Sequence, residues 1–169
     1  MTDTALILVD FQVEYTTKLS DYYIGNPDKL IERVNKLLEW ARGKSYKIIF
    51  IQHVEKSGEE FTGKNAEIWS KLDKNGLDPI IKKHHISSFY QTNLEKELMG
   101  IKHLLVCGLL TNLCVRMLVE EAYDREFEIT IVPDCCAALT EDVQDFTLED
   151  LRITREEIKL VNSSKLIGT

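Results

Sequence analysis

The chain contains an apolar segment that ends in a cysteine: Leu104-Leu105-Val106-Cys107-Gly108-Leu109-Leu110-Thr111-Asn112-Leu113-Cys114-Val115. We interpret it as a buried strand that passes through a glycine turn into a helix beginning near Cys114. Unpaired N–H groups and the macrodipole at a helix N-terminus stabilise an anion, so Cys114 is a candidate nucleophile. The same composition is also typical of a protein core, where a free cysteine packs as a small hydrophobe.

Two further apolar runs end in charged residues. Residues 5–9 precede Asp10, and residues 80–81 precede Lys82 and Lys83. Open α/β sheets build their sites at the carboxyl ends of parallel strands, so we expect a carboxylate, an ammonium group and a thiol at one sheet edge. Each group also has an ordinary interpretation, with Asp10 as a loop cap and the lysines as solvated charges. Because adjacent residues on a strand face opposite sides, only one lysine can point into such a site.

The order of apolar and amphipathic segments predicts the fold class. Strands are expected at residues 5–9, 47–51, 80–81, 103–107 and 129–132, with a short edge strand within 158–161. Helices are expected at residues 26–43, 93–98 and 111–124 and within the acidic tail 140–159. This alternation is typical of parallel βαβ units. Residues 53–77 are polar and contain glycines, which indicates a long functional loop.

Composition limits the classes of function. The 169 residues are enough for one domain, spanning 1–169, and 44% hydrophobic with 29% charged residues is ordinary for a globular protein. A formal charge of −7 without a basic stripe argues against nucleic-acid and anionic-membrane partners. No apolar run approaches the roughly 18 to 20 residues needed to span a bilayer, so we expect a cytoplasmic protein. The four cysteines lack the spacing of a disulfide framework.

Four short motifs, in this order, resemble the isochorismatase-like cysteine hydrolases, a superfamily that includes nicotinamidases and N-carbamoylsarcosine amidase. The resemblance covers nearly the whole chain. The matching residues are Asp10 and Gln12 in the first motif, Lys83, Ser87 and Phe89 in the second, Gly108, Thr111, Cys114 and Val115 in the third, and Val132, Pro133 and Asp134 in the fourth. The spacing to Phe89 favours Lys83 over Lys82 as the functional lysine.

The resemblance implies a three-layer α/β/α sandwich with a mostly parallel sheet of about six strands. It also implies a cysteine-dependent hydrolase that cleaves a small-molecule amide or related C–N bond through a thioester. In this scheme Asp10 takes the proton of Cys114, the nucleophile, and Lys83 orients the carboxylate and favours the anionic states. The backbone N–H groups of Leu110 and Cys114 would form the oxyanion hole, and the bond between Leu109 and Leu110 is expected to be cis.

The resemblance is less specific about the substrate. We expect Gln12, Tyr15, His53 and Trp69 to contact it, although Tyr15 and Trp69 are equally typical of packing anchors. His53 either lines the pocket or forms a structural hydrogen bond within it. Metal-binding members carry an Asp-x-His motif after the second strand, but this chain has Gln52-His53-Val54, so we expect neither a metal nor a cofactor. Relatives commonly form homo-oligomers, either dimers or larger assemblies.

Two other functions fit the same sequence. One is vinyl-ether hydrolysis of the isochorismatase kind, which uses the acid and the lysine without a nucleophilic thiol. The other is a non-catalytic member of the fold that only binds a ligand. The presence of Cys114 counts against the first, and the presence of Asp10, Lys83 and Cys114 together counts against the second.

Overall fold

A computed structural model describes residues 2–168 and contains a six-stranded, fully parallel sheet. The strand order is β3-β2-β1-β4-β5-β6. The strands are β1 (Thr4–Val9), β2 (Lys47–His53), β3 (Ile80–Lys83), β4 (His103–Leu109), β5 (Glu128–Ala137) and β6 (Lys159–Leu160). The predicted α/β class with a parallel sheet of about six strands is therefore confirmed.

The helices connect the strands and cover the sheet. They are α1 (Asp28–Gly43), α2 (Leu94–Glu97), α3 (Arg116–Tyr123), α4 (Glu141–Thr154) and α5 (Ser163–Ile167), with a π-helical turn at Thr111–Val115 and 3-10 turns at Val13–Thr16 and Gly63–Ala66. Helices α1 and α5 pack on each other, whereas α4 packs against the π-helical turn and β6. The helical segment predicted at residues 111–124 thus exists, but its first turn is π-helical and holds Cys114 as its fourth residue.

The core is centred on β1. All six residues of this strand are buried, because it lies between β2 and β4 with helices over the sheet. Helix α1 buries an apolar stripe at the spacing predicted from sequence, namely Leu30, Ile31, Val34, Leu37, Leu38 and Ala41. The carboxyl end of β1 is consequently held rigidly by the packing around it, and the chain leaves the core there.

Strand β3 resolves which of its two lysines points inward. Its residues alternate between exposed and buried, so Lys82 lies on the surface and Lys83 is buried. This is the period-two pattern of a strand with one covered face. Lys83 has no exposed surface at all. The preference for Lys83 over Lys82 is thus supported by the fold.

Gly108 lies inside β4 and not in a turn, which corrects the interpretation from sequence. Its φ of +145° favours glycine, and a Cβ atom there would lie 2.2 Å from the Val9 carbonyl oxygen. The pairing of β4 with β5 also shifts register between Val106 and Gly108. The glycine is therefore required by the close approach of β1 and by the irregular ladder with β5.

Three other features concern expectations from the sequence. Among residues 2–168, no helix has both the length and the apolar sequence required to cross a membrane. Cys135 and Cys136 are buried and free, and so is Cys107, whereas Cys114 is half-buried. Between residues 54 and 79 the described chain contains only the 3-10 turn Gly63–Ala66, as expected for a long loop.

Gly108→Ala should destabilise the fold strongly. The added methyl would overlap backbone atoms of Val9, which cannot move without shifting the central strand, so we expect a loss of at least about 3 kcal/mol in the free energy of unfolding. Urea unfolding monitored by circular dichroism measures this. Gly43→Ala is the matched control, because nothing lies within 4 Å of its added Cβ, and its change should stay within about 1 kcal/mol. Equal effects of the two substitutions would contradict the assignment.

Candidate active site

Asp10 is the first residue after β1 and has no exposed surface. Its φ is +52°, a conformation that aspartate tolerates better than most residues, and its N–H donates to the Ile51 carbonyl of β2 at 3.1 Å. The sharp change of backbone direction takes the chain off the sheet immediately after the carboxylate. Asp10 is therefore held at the carboxyl end of β1 by a hydrogen bond to the neighbouring strand β2.

The Asp10 carboxylate pairs with the Lys83 ammonium group. Oδ2 of Asp10 lies 3.0 Å from Nζ of Lys83, and neither side chain is exposed. Among the described residues neither carboxylate oxygen has a well-oriented hydrogen-bond donor, and Oδ1 has no close cation either. The carboxylate thus keeps the capacity to accept a proton.

The same ammonium group contacts the thiol of Cys114. Nζ of Lys83 is 3.1 Å from Cys114 Sγ and also donates to the carbonyl oxygens of His85 and Ile86 at 3.2 and 3.3 Å. Lys83 is therefore the group common to the acid and the thiol. Asp10, Lys83 and Cys114, which come from three distant parts of the chain, lie together as the sequence predicts.

The thiol is protonated when no substrate is bound. Burial and the neighbouring Asp10 carboxylate raise the pKa of Cys114 to about 12, and Lys83 offsets only part of this increase. Burial alone would lower the pKa of Lys83, but Asp10 and Cys114 outweigh it, so the pKa of the ammonium group is raised. The site holds one carboxylate for its one ammonium group, so no net positive charge remains there to favour the thiolate.

The turn that carries Cys114 follows a cis peptide bond between Leu109 and Leu110, which confirms that prediction. The Leu110 carbonyl accepts hydrogen bonds from the N–H groups of Leu113 and Val115 at 3.0 and 3.2 Å. Within residues 2–168 the Leu110 N–H itself donates to no backbone carbonyl. The role of the Leu110 and Cys114 N–H groups as an oxyanion hole stays a prediction.

A cavity of about 170 Å³ opens beside the Cys114 thiol. It is smaller than the roughly 300 to 1,000 Å³ of sites for drug-sized ligands, so a small molecule fits it best. Its walls combine aromatic, acidic and aliphatic side chains: Tyr15, Tyr22, His53 and Phe61, then Glu55 and Glu60, then Ile86 and Leu113. The predicted contacts Tyr15 and His53 therefore do lie at the cavity.

Gln12 and Trp69, predicted to contact the substrate, do not line this cavity. Gln12 is buried, and its amide bonds the N–H and the carbonyl of His53 at 2.8 Å each and the Ala66 carbonyl at 2.7 Å. It fixes the end of β2 relative to β1. Trp69 packs against the Phe11 ring, with centroids 5.6 Å apart, and lines a separate depression beside Ile31. Both residues act on the packing around the site.

His53 combines both roles that its sequence position allows. Its Nδ1 lies 3.3 Å from Lys83 Nζ, and its Nε2 lies 2.8 Å from Glu55 Oε1. An ammonium group can only donate, so Nδ1 is the acceptor in the contact with Lys83 and Nε2 is the nitrogen that donates to Glu55. With both nitrogens occupied, His53 does not offer a metal ligand. No group of three metal-binding side chains occurs among the described residues either.

The sequence predicts a functional loop at residues 53–77, which contains Glu60 and Phe61, but it does not identify these two residues or Tyr22 as walls of the cavity. Phe61 has a φ of +47°, rare for a bulky residue, and its N–H donates to Oε2 of the buried Glu14 at 3.0 Å. Tyr22 and Glu60 come from loop segments on either side. No periodic pattern in the sequence marks these positions.

The two histidines after β3 lie outside the cavity lining. The ring of His84 contacts the Val54 carbonyl through Nδ1 at 2.6 Å, and the ring of His85 stacks edge-on against Tyr90. Only the backbone carbonyl of His85 reaches Lys83. Both side chains are exposed.

A family model described as the isochorismatase domain matches residues 4–158. The chain belongs to the isochorismatase family. This confirms the resemblance inferred from the four sequence motifs, and it covers every strand of the sheet except the short edge strand β6.

Individual relatives in this family include proteins of named activity. The chain is 28% identical over 148 residues to the uncharacterized isochorismatase family protein YddQ of Bacillus subtilis, which covers 84% of this chain and 82% of YddQ. It is 26% identical over 165 residues to nicotinamidase 3 of Arabidopsis thaliana, covering 87% and 79%. Its fold matches a crystal structure of an isochorismatase-like hydrolase from Alkaliphilus metalliredigens with a TM-score of 0.87 at 22% identity, covering 98% and 94%.

Asp10→Asn should lower the pKa of Cys114. The carboxylate charge that raises this pKa is removed, while the Lys83 ammonium group that favours the thiolate remains. The rate of iodoacetamide alkylation between about pH 7 and about pH 10, with the Cys114→Ala protein as blank, measures thiolate formation. The alkylation rate of the wild-type protein should still be rising at about pH 10. The rate of the Asp10→Asn variant should rise at a lower pH than that of the wild type. An unchanged or opposite displacement would show that Asp10 does not control this thiol.

Proposed function

We propose that this protein is a cysteine-dependent hydrolase that cleaves a small-molecule amide or a related C–N bond through a thioester intermediate. One observation carries the proposal: a single buried ammonium group, Lys83 Nζ, lies 3.0 Å from the Asp10 carboxylate and 3.1 Å from the Cys114 thiol, next to a small cavity. A base, a cation and a nucleophile in contact are what nucleophilic catalysis by a weakly acidic thiol requires. The relationship to a nicotinamidase supports an amide as the substrate.

The reaction begins with proton transfer from Cys114 to Asp10. Because the resting thiol is protonated, its proton leaves as the sulfur attacks the carbonyl carbon, and the electron pair of the carbonyl bond moves to oxygen. The negative charge therefore passes from the carboxylate to the substrate oxygen without accumulating on sulfur. Lys83 remains charged and next to the sulfur throughout this step.

The tetrahedral intermediate places its negative oxygen toward the turn that carries Cys114. In our proposal the N–H groups of Leu110 and Cys114 donate to that oxygen. Such donors are effective because they are fixed before the reaction, and losing one commonly costs on the order of 3 kcal/mol of transition-state stabilisation.

Three further proton transfers by Asp10 complete the cycle, the last of them returning a proton to the Cys114 sulfur. The protonated acid gives its proton to the leaving nitrogen, the C–N bond breaks and an amine or ammonia departs, which leaves a thioester on Cys114. Asp10 then takes a proton from water, whose oxygen attacks the thioester. The C–S bond breaks, the acid product leaves, and the thiol regains its proton. The net reaction consumes one water for each C–N bond cleaved.

The remaining predictions concern the setting of the protein and not the chemistry. A homo-oligomer and a cytoplasmic location stay predictions from the resemblance and the composition.

The vinyl-ether alternative needs no thiol, whereas Cys114 here contacts both the proposed cation and the cavity, which favours the cysteine mechanism.

Cys114→Ala, Asp10→Asn and Lys83→Ala should each lower kcat/KM by about a thousandfold or more, because each removes one member of a unit that acts together. Ammonia release from a panel of small amides, ureas and carbamoyl compounds measures turnover. Lys82→Ala is the matched control. It removes the same charge at the neighbouring residue, which is exposed, and it should retain activity.

Near-ultraviolet circular dichroism of each variant separates loss of chemistry from loss of fold. Lys83→Ala needs this check most, because it leaves the buried Asp10 without its partner and should cost stability. Turnover that persists in Cys114→Ala would contradict the thioester mechanism and favour the thiol-independent alternative.

A further inference from the structure

The cavity beside Cys114 is lined by carboxylates and by no cationic side chain. Among the described residues on its wall, Glu55 and Glu60 carry negative charge, and no lysine or arginine contributes. Lys83 lies beneath the thiol, but its charge is balanced by Asp10. The part of the cavity that would surround the remainder of a substrate is therefore negative.

The two carboxylates on the wall differ in their partners. The ring of His53 lies 2.8 Å from Glu55 through Nε2, and this hydrogen bond lowers the pKa of the Glu55 carboxyl, which favours its negative form. Glu60 makes neither an ion pair nor a side-chain hydrogen bond with the described residues. Glu60 is the more available carboxylate, and burial together with its charge raises the pKa of Tyr22. Glu60 is itself exposed to solvent, and its charge reaches Tyr22 on the cavity wall.

Three aromatic rings stand beside these carboxylates. The ring of Phe61 contacts those of Tyr15 and Tyr22 with centroid distances of 5.4 Å each, and the two tyrosines are 6.3 Å apart. All three contacts are edge-on or tilted, so ring faces are directed at several angles around the cavity. Aromatic faces next to a carboxylate attract organic cations, both through the ring quadrupole and through direct charge.

Phe61 is fixed in place by the buried Glu14. The residue has a φ of +47°, and its N–H is held by Glu14 Oε2 at 3.0 Å, while its carbonyl accepts from the Glu55 N–H at 3.1 Å. A bulky residue adopts this strained conformation only where its surroundings enforce it, and such positions cluster at ligand sites. The position of the Phe61 ring at the cavity is therefore fixed by these two hydrogen bonds and by the backbone conformation.

We infer that the cavity selects a substrate that carries a positive charge, such as an ammonium or quaternary ammonium group, and no carboxylate, with Glu60 and Phe61 recognising the cation. This inference rests on the proposed function for its reaction and adds the substrate class: a small cationic amide. The volume of about 170 Å³ restricts the substrate to a compact molecule. Glu60 and Phe61 are specificity residues in this assignment, and Glu14 is a positioning residue.

The charge preference can be measured at Cys114 without any turnover. Trimethylammonioethyl and sulfonatoethyl methanethiosulfonate modify thiols and differ in the sign of their charge. Their rate ratio at Cys114, divided by the ratio for free mercaptoethanol, reports the local preference, and any change in thiol ionisation cancels. We expect the cation to be favoured at least about tenfold. Cys114→Ala serves as the blank for the three buried cysteines.

Two variants test the residues named. Glu60→Gln should reduce the cation preference severalfold, and Phe61→Leu should reduce it by about threefold, the size expected for an exposed cation–π contact. Glu59→Gln is the matched control, because Glu59 is adjacent to Glu60 and equally exposed but does not line the cavity. A ratio equal to that of mercaptoethanol, or equal losses in Glu59→Gln and Glu60→Gln, would overturn the inference.

An isosteric pair of amides then connects this preference to the reaction. Betaine amide and 3,3-dimethylbutanamide have the same shape. The first carries a quaternary nitrogen where the second carries a quaternary carbon. The cationic amide should have the higher kcat/KM, and Glu60→Gln should lower the ratio of the two values. This comparison between variants removes the intrinsic difference in amide reactivity. An equal or higher value for the neutral amide, or a ratio unchanged by Glu60→Gln, would overturn the inference.

The two measurements distinguish an error in the proposed reaction from an error in the proposed substrate class. If no compound of the panel, these two amides included, is hydrolysed while the thiol reagents show the cation preference and its loss in Glu60→Gln, the proposed reaction is wrong and the cationic selectivity stands. If amides are hydrolysed by a Cys114-dependent reaction with no preference for the cation in either measurement, the proposed function stands and the substrate class is wrong.

Discussion

The buried ion pair between Asp10 and Lys83 is the interaction on which the candidate site depends. Neither side chain is exposed, and two charges placed in a protein interior are tolerated only as a close pair. The pair joins β1 to β3 across the end of β2, whose last residue, His53, is in register with Lys83. Gln12 holds that strand end in place through both backbone groups of His53. The geometry of the site is therefore set by three strand ends.

Charge balance in this pair determines the state of the nucleophile. Asp10 and Lys83 cancel each other, so ionising Cys114 would place an uncompensated negative charge in a poorly solvated site. This is why the pKa of the thiol is raised to about 12 even though an ammonium group lies 3.1 Å away. In the proposed mechanism the sulfur therefore passes its proton to Asp10 as it attacks, so that nucleophilic attack and proton transfer are coupled.

The parts of the site that the sequence predicts are those fixed by strand periodicity and sheet topology. Asp10 follows a continuous apolar run, Lys83 occupies the inward position of an alternating strand, and Cys114 follows the next central strand. Parallel strands bring their carboxyl ends to one edge, so these residues had to meet if the strands were identified correctly. The role of Gly108 was misjudged, because a glycine in a strand and a glycine in a turn look alike until the neighbouring strand is known.

The residues that the sequence could not predict are carried by loops. Phe61 reaches the cavity through a left-handed backbone conformation that Glu14 stabilises from 47 positions away, and no local pattern encodes such a contact. Trp69 looked equally suitable as a cavity wall, but its ring is used in packing against Phe11. Strands thus determine where the chemistry occurs, while loop contacts of high sequence separation determine what surrounds the substrate. Glu55 is linked to the ion pair through His53, whereas Glu60 and Phe61 make no hydrogen bond or ion pair with Asp10 or Lys83. The charge and shape of these two residues can therefore change with little effect on that pair. A family with one catalytic geometry can therefore act on different substrates.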